Sequence, residues 1–159
     1  MMNQKTKELI GYLINGLSMP LFIYLQQILE TPDVLHSLKY LGWALIGCGV
    51  GLIALSTATL VRNRAGNLIE SGIYGIVRHP MYLGAMLSFA AYVFFLPHWI
   101  VLLLVIVNLL VIYAFILQGD RQNIAQFGDA YERYMATVPR INLLAGIVKR
   151  ISGRPDYAQ

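Results

Sequence analysis

Gly75-Ile76-Val77-Arg78-His79-Pro80-Met81-Tyr82-Leu83-Gly84 stands where a polar connection gives way to an apolar run. Pro80 suits the first turn of a helix, because the N–H that proline lacks would have no partner there. A guanidinium and an imidazole beside hydrocarbon are costly unless they face protein, water or a ligand. The stretch therefore predicts the start of a membrane helix with a polar site at its end.

The composition outside this stretch is also that of a membrane protein. Of 159 residues, 57% are hydrophobic and only 13% are charged, which is too little charge to cover a soluble domain. Four apolar runs, at 9–29, 38–61, 81–96 and 99–118, each approach the roughly 20 residues that span a bilayer. We expect an all-α, polytopic membrane protein with about four transmembrane helices and one domain over residues 1–159.

The basic residues indicate the orientation of this domain. With the N-terminus in the cytoplasm, eleven of the twelve Lys and Arg residues lie on the cytoplasmic side, and only Lys39 lies outside, in a loop with Glu30 and Asp33. This follows the positive-inside rule and predicts that both termini are cytoplasmic. The excess of basic residues is then explained by membrane topology and by contact with anionic lipid, so we expect no nucleic-acid partner. The short chain favours a prokaryotic cytoplasmic membrane.

Residues after Leu117 are polar but patterned. Phe127, Tyr131, Tyr134 and Val138 recur at helical spacing, which predicts a cytoplasmic helix over 118–135, folded back on the membrane domain and ended by Pro139. A short apolar stretch, 143–151, ends in Lys149 and Arg150 and indicates a segment that lies on the membrane surface within a tail of 143–159.

Small and polar residues inside the apolar runs have structural interpretations. Gly47 and Gly51 are spaced for close helix packing, within this chain or in a homodimer; a phosphate loop at 47–51 would need a strand-turn-helix context. Cys48 is interpreted as a small buried residue. Asn108 predicts an interhelix hydrogen bond.

The cytoplasmic ends of the helices bring several chemical groups to one level. Arginine holds a carboxylate in bidentate geometry, an acid accepts from an amine or ribose hydroxyls, and aromatic faces hold a sulfonium or ammonium cation. Such a set suits a zwitterionic ligand, although the same residues also serve as helix-end anchors. The set comprises Tyr74, Arg78, His79, Tyr82, Asp120, Arg121, Tyr131, Tyr134 and Arg140.

Metal and hydrolase chemistry are not indicated. The three histidines are scattered, the single cysteine allows neither a disulfide nor a multi-cysteine metal site, and no His/Asp/Glu set has ligand spacing. No serine lies in a nucleophile-elbow context.

Two blocks of the chain resemble a known superfamily. Residues 71–84, Ser-Gly-Ile-Tyr-Gly-Ile-Val-Arg-His-Pro-Met-Tyr-Leu-Gly, and the block 127–134 with Val138-Pro139-Arg140 are similar to motifs of the isoprenylcysteine carboxyl methyltransferase and phospholipid methyltransferase superfamily. The resemblance covers about 71–142. It implies an integral membrane enzyme that uses S-adenosylmethionine, with the segment 119–142 closing the cofactor pocket at the cytoplasmic face.

The resemblance also implies roles for single residues. His79, Tyr82 and Gly84 would line the cofactor site with Tyr74 nearby, and Tyr131 and Tyr134 would help to close it. Arg78 and Arg140 would be the catalytic candidates, Arg140 by orienting a substrate. The resemblance implies direct methyl transfer to a lipid or lipidated acceptor, with an isoprenylcysteine-type carboxylate favoured over a phospholipid amine.

One departure from the superfamily pattern keeps other functions open. Members usually carry a Glu-Glu pair before the second block, linked to cofactor binding, where this chain has Gly119-Asp120. Asp120 is the cofactor-binding candidate that remains. The alternatives are an NADPH-dependent membrane reductase, whose known forms are much longer, and a ligand-binding membrane protein without turnover.

Overall fold

The computed structural model describes residues 3–29, 37–63 and 66–152, and all regular structure in these ranges is helical. The long helices are α1 (Gln4–Ile28), α2 (Leu38–Arg62) and α5 (Trp99–Phe127), and each is long and apolar enough to cross a membrane. The shorter ones are α3 (Pro80–Ala90), α4 (Tyr92–Phe95), α6 (Asp129–Thr137) and α7 (Leu143–Ile151), with a 3₁₀ turn at Gly72–Gly75. The all-α prediction is confirmed. The predicted sides of Glu30, Asp33 and Arg64, and the predicted tail beyond 152, lie outside the described residues.

Glycines let α2 and α3 approach closely, but they are not the predicted ones. A Cβ on Gly49 would lie 2.5 Å from the Gly84 carbonyl oxygen, and one on Gly84 would lie 2.5 Å from the Gly49 carbonyl oxygen. Nothing lies within 4 Å of a Cβ placed on Gly47 or Gly51. The prediction that these two pack against another helix of this chain is therefore wrong, because they face away from α3. Cys48 is exposed rather than buried, again because of the face it occupies.

A buried polar contact joins α1 to α5. The Asn108 side-chain amide donates to Ser18 Oγ at 2.9 Å and to the Leu104 carbonyl at 2.8 Å. This confirms the predicted interhelix hydrogen bond. Around it, apolar side chains from α1, α3 and α5 form the main core, with Phe22, Phe89 and Ile116 among its buried members.

The polar end of the fourth run differs from the prediction. We predicted that the membrane helix ends at 118 and that a second helix covers 118–135, but α5 continues to Phe127 and the break falls at Gly128. Residues 118–127 contain no proline, and Gly119 alone is too weak a breaker to stop a helix supported on both sides. Gly128 adopts φ 53° and ψ −133°, a conformation that favours glycine, and α6 starts there in a new direction.

The helices gather most basic residues at one end of the bundle. The start of α1 meets the late part of α5 there, where Glu8 and Gln118 form a hydrogen bond. The end of α2, the start of α3, α6 and α7 lie at the same end. We call it the basic end; it holds Lys5, Lys7, Arg62, Arg78, Arg121, Arg133, Arg140, Lys149 and Arg150.

Candidate active site at the basic end

The backbone before α3 is held by the segment that follows α6. The Arg78 N–H donates to the Pro139 carbonyl at 3.0 Å, and the His79 N–H donates to the Arg140 carbonyl at 3.2 Å. Pro80 begins α3 directly after this pairing. The two sequence blocks, some 60 residues apart, therefore meet through paired main chain, which fixes the direction in which Arg78, His79 and Arg140 project.

Asp120 of α5 is the centre of the site. Its side chain is 5% exposed and accepts four hydrogen bonds. Its Oδ1 accepts from Arg78 (3.2 Å), His79 Nε2 (2.7 Å) and the Tyr131 hydroxyl (2.7 Å), and its Oδ2 accepts from Arg140 Nε at 2.8 Å. We call these five residues the Asp120 cluster. They come from four parts of the chain, so one carboxylate joins α5, the start of α3, α6 and the segment after α6.

The protonation state of His79 follows from its burial in this cluster. Burial lowers the pKa of His79 below its ordinary value of 6.5, and the contact with Asp120 opposes this without reversing it. A neutral imidazole beside an ion-paired carboxylate donates through Nε2, so Nδ1 carries the lone pair. With His79 neutral, two arginines face one carboxylate, and the Asp120 cluster carries a net positive charge.

The tyrosines of the site are protonated donors. Burial raises the pKa of Tyr131, and its hydrogen bond to Asp120 raises it further. Burial also raises the pKa of Tyr134, whose hydroxyl donates to the Tyr74 carbonyl at 2.6 Å. These bonds attach α6 to α5 and to the 3₁₀ turn.

A cavity of about 290 Å³ adjoins the Asp120 cluster between the end of α2, the turn at 66–69, α5 and α6. We call it the amide cavity, because four residues with side-chain amides line it, namely Asn63, Asn67, Asn123 and Gln126. Its other walls include four residues of the predicted site, namely Tyr74, Arg78, Tyr131 and Tyr134. Its volume is near the lower limit of small-molecule sites.

Arg78 connects the cluster to this cavity and retains a free donor. The residue is 8% exposed, and its Nε is a buried donor without a hydrogen-bond partner among the described residues. A buried donor in that state costs free energy unless an acceptor arrives. Arg78 also lines the amide cavity, so an anion bound there would lie beside a guanidinium that is not fully hydrogen-bonded.

Two predicted residues lie at the margins of this arrangement. The Tyr82 ring is 5.9 Å from the His79 ring, centroid to centroid, so it adjoins the Asp120 cluster. Gly84 packs against Gly49 and Ile53 of α2. Its described contacts do not connect it with the other site residues, and its role at a cofactor remains a prediction.

Several residues of the site were not identified from the sequence. The Tyr113 hydroxyl of α5 accepts from Arg140 Nη1 at 3.2 Å. The amides of the cavity were also missed, because Asn and Gln in a polar connection and a helix end are common and carry no spacing signal. A signal was available for Tyr113, since it lies two helical turns before Asp120 on the same α5 face.

Comparison with known families places the chain. Residues 37–122, more than half of its length, match the family model described as phospholipid methyltransferase. The chain belongs to the phospholipid methyltransferase family. The matched region includes the first sequence block and Asp120, and it ends before Phe127. No curated protein and no solved structure gave a significant match.

Membership of this family indicates the general activity of the protein. This member of the phospholipid methyltransferase family is an integral membrane methyltransferase. Its three long apolar helices agree with that assignment.

Proposed function

We propose that this methyltransferase uses S-adenosylmethionine as its methyl donor and binds it in the amide cavity. The observation that carries the proposal is that the Arg78 side chain, whose Nε has no hydrogen-bond partner among the described residues, lines that cavity. The methyl donor has a carboxylate that can accept hydrogen bonds from Arg78, a purine and ribose that suit side-chain amides, and a sulfonium that aromatic faces hold.

The residues present fit cofactor binding through Arg78 better than direct binding through Asp120, which was predicted. Asp120 was expected to accept a hydrogen bond from the cofactor, yet both of its oxygens are already occupied by protein donors. We therefore assign Asp120 to holding Arg78 and His79 in place. Tyr74, Tyr131 and Tyr134 remain the aromatic walls.

When bound, the cofactor supplies an electrophilic methyl group on a sulfonium sulfur. The chain's part is to position the reactants and exclude water, which suffices for displacement by a ready nucleophile. Arg78 would hold the cofactor, and α6 would close the cavity through the bonds that Tyr131 and Tyr134 make. Arg140, one third exposed at its side chain, would orient the acceptor while Asp120 and Tyr113 fix its guanidinium.

The acceptor is a lipid or lipidated molecule, and two chemistries are compatible with the site. The net positive charge of the Asp120 cluster attracts a carboxylate, as in an isoprenylcysteine. A carboxylate is also already a nucleophile, so its methylation needs no base. A phospholipid amine must lose a proton before or during methyl transfer. The Nδ1 lone pair of His79 would be the candidate base for that step.

Titration calorimetry tests the cofactor site. Detergent-purified protein is titrated with S-adenosylmethionine and S-adenosylhomocysteine. We expect saturable binding that Gln126→Trp abolishes, because the exposed Gln126 lines the amide cavity and an indole there would fill it. Gln122→Trp, one turn away on α5 and outside that cavity, is the matched control. No binding to a folded wild type would refute the proposal. It would favour the alternatives, an NADPH-dependent reductase or a ligand-binding membrane protein without turnover.

Incubation with labelled S-adenosylmethionine then distinguishes the acceptors. An isoprenylcysteine analogue and phosphatidylethanolamine are offered in parallel to wild type and His79→Gln. Loss of amine methylation with carboxylate methylation retained would assign the base role to His79, whereas equal loss of both would assign it a positioning role.

A further inference from the structure

A second concave surface lies between α1 and α5 on the side facing the bilayer. It is a groove of about 620 Å³, larger than the amide cavity, and no residue of the Asp120 cluster lines it. Towards the middle of the membrane its walls are apolar, with Ile10, Ile14, Val111 and Phe115 among them. We call it the α1–α5 groove.

The basic end of this groove has a different chemistry. Lys7 and Arg121 line it there together with Gln4 and Gln122, and none of the described residues in its lining is acidic. Both cations are exposed, and neither forms an ion pair within 3–29, 37–63 and 66–152. Glu8, the nearest acid along α1, is engaged by Gln118. The groove therefore ends in two uncompensated positive charges.

We infer that the α1–α5 groove binds one anionic phospholipid, with its phosphate between Lys7 and Arg121 and an acyl chain along the apolar walls. The polarity gradient of the groove matches that of a lipid, apolar within the span and cationic at its end. Free phosphate would leave the apolar length unused. A symmetric second copy of α1 and α5 would bring like charges together, which opposes association.

The shape of the groove depends on a small residue. A Cβ on Gly11 would overlap the end of the Phe115 ring, so glycine allows that ring to approach α1 closely and form the floor. The exposed Ala114 beside it leaves room above the floor for a chain. This site does not rest on the proposed cofactor site, and its test requires no methyl donor.

Native mass spectrometry of the detergent-purified full chain tests the inference. Phosphatidylglycerol and phosphatidylcholine with identical chains are titrated separately. The variant Lys7→Gln/Arg121→Gln removes the proposed phosphate contacts, and Lys5→Gln/Arg62→Gln removes the same charge from the same end outside the groove. Unfolding midpoints establish that both variants are folded.

We expect the first variant to weaken phosphatidylglycerol binding by about tenfold or more and the second by less than about threefold, since each basic residue near an anionic surface contributes of order 1 kcal/mol. Ala114→Trp, which fills the apolar part, should also weaken binding. Equal weakening by both charge variants would overturn the inference in favour of diffuse attraction. Displacement by glycerol phosphate at similar concentration would overturn it in favour of a soluble phosphate, and a dimer peak that the first variant removes would overturn it in favour of a second copy.

Discussion

Asp120 is the residue on which the site depends, because it compensates two arginines that have few other partners. Removing one partner of a buried ion pair leaves a charge without compensation, which costs roughly 3–5 kcal/mol. We expect Asp120→Asn to lower the free energy of unfolding by about that amount, measured by thermal unfolding in detergent. Asp129→Asn, the same change at an exposed position of α6, should cost less than about 1 kcal/mol. Similar losses in both variants would contradict this role.

His79 predicts a pH dependence of stability. Its pKa is lowered in the folded protein by burial, so below the ordinary value of 6.5 the unfolded chain binds a proton that the folded chain refuses. The stabilisation is thus complete above pH 6.5 and is lost as the pH falls towards the lower folded pKa. Unfolding midpoints measured between about pH 7.5 and about pH 5.5 should fall in the wild type and fall less in His79→Gln.

The control for that measurement is His98→Gln, which removes an imidazole at the opposite end of the bundle, where His98 Nδ1 accepts from the Ile100 N–H. An undiminished pH slope in His79→Gln would show that another group governs the effect. If His98→Gln keeps the pH slope of the wild type, the smaller slope of His79→Gln results from the loss of His79 and not from the loss of a histidine in general.

At the scale of elements, the α2–α3 contact rests on glycine. Gly49→Ala would place a methyl group 2.5 Å from the Gly84 carbonyl oxygen and from Ser88 Oγ, and such overpacking costs about 1–3 kcal/mol. Gly47→Ala, two residues earlier on the same helix, meets open space and should be neutral or stabilising by up to about 1 kcal/mol. Thermal unfolding of the two variants in one detergent checks both expectations. A stable Gly49→Ala protein would mean that α2 and α3 separate readily.

The elements were largely predictable from sequence, and the contacts within the site were not. Apolar runs of membrane length dictate helices because backbone groups in hydrocarbon must pair internally, and Pro80 marks where α3 begins. The sequence also indicated that Arg78, His79, Asp120 and Arg140 share one level. That all four form one cluster depends on contacts 20 to 42 residues apart, which no helical period encodes.

Two errors have related causes. Gly47 and Gly51 have the spacing of a packing pair, but the packed face of α2 is the one with Gly49 against α3 and Gly42 against Phe95 of α4, and spacing alone does not choose the face. The end of α5 was placed where hydrophobicity stops, whereas backbone hydrogen bonding continues to Gly128. Polarity marks where a helix leaves a membrane, not where it ends.

At the scale of the whole molecule, the charge distribution predicts the orientation. Lys149 lies at the basic end and Lys39 at the start of α2, at the other end. Single cysteines at these positions, in a Cys48→Ser background, should be labelled by a membrane-impermeant maleimide from opposite sides, with position 149 reached only after the membrane is opened. Labelling of position 149 in intact cells would reverse the proposed orientation, and labelling of both positions there would contradict the spanning arrangement.

The four bonds to Asp120 also have a consequence for biosynthesis. Asp120 is synthesised at the end of α5, before Tyr131 and Arg140, so a nascent chain that stops between these points presents Arg78 and His79 with a carboxylate but with half of its final donors. The pairing of Arg78 and His79 main chain with Pro139 and Arg140 is missing at that moment as well. The polar interior of the enzyme can therefore be completed only after the last residues of the second block have been synthesised.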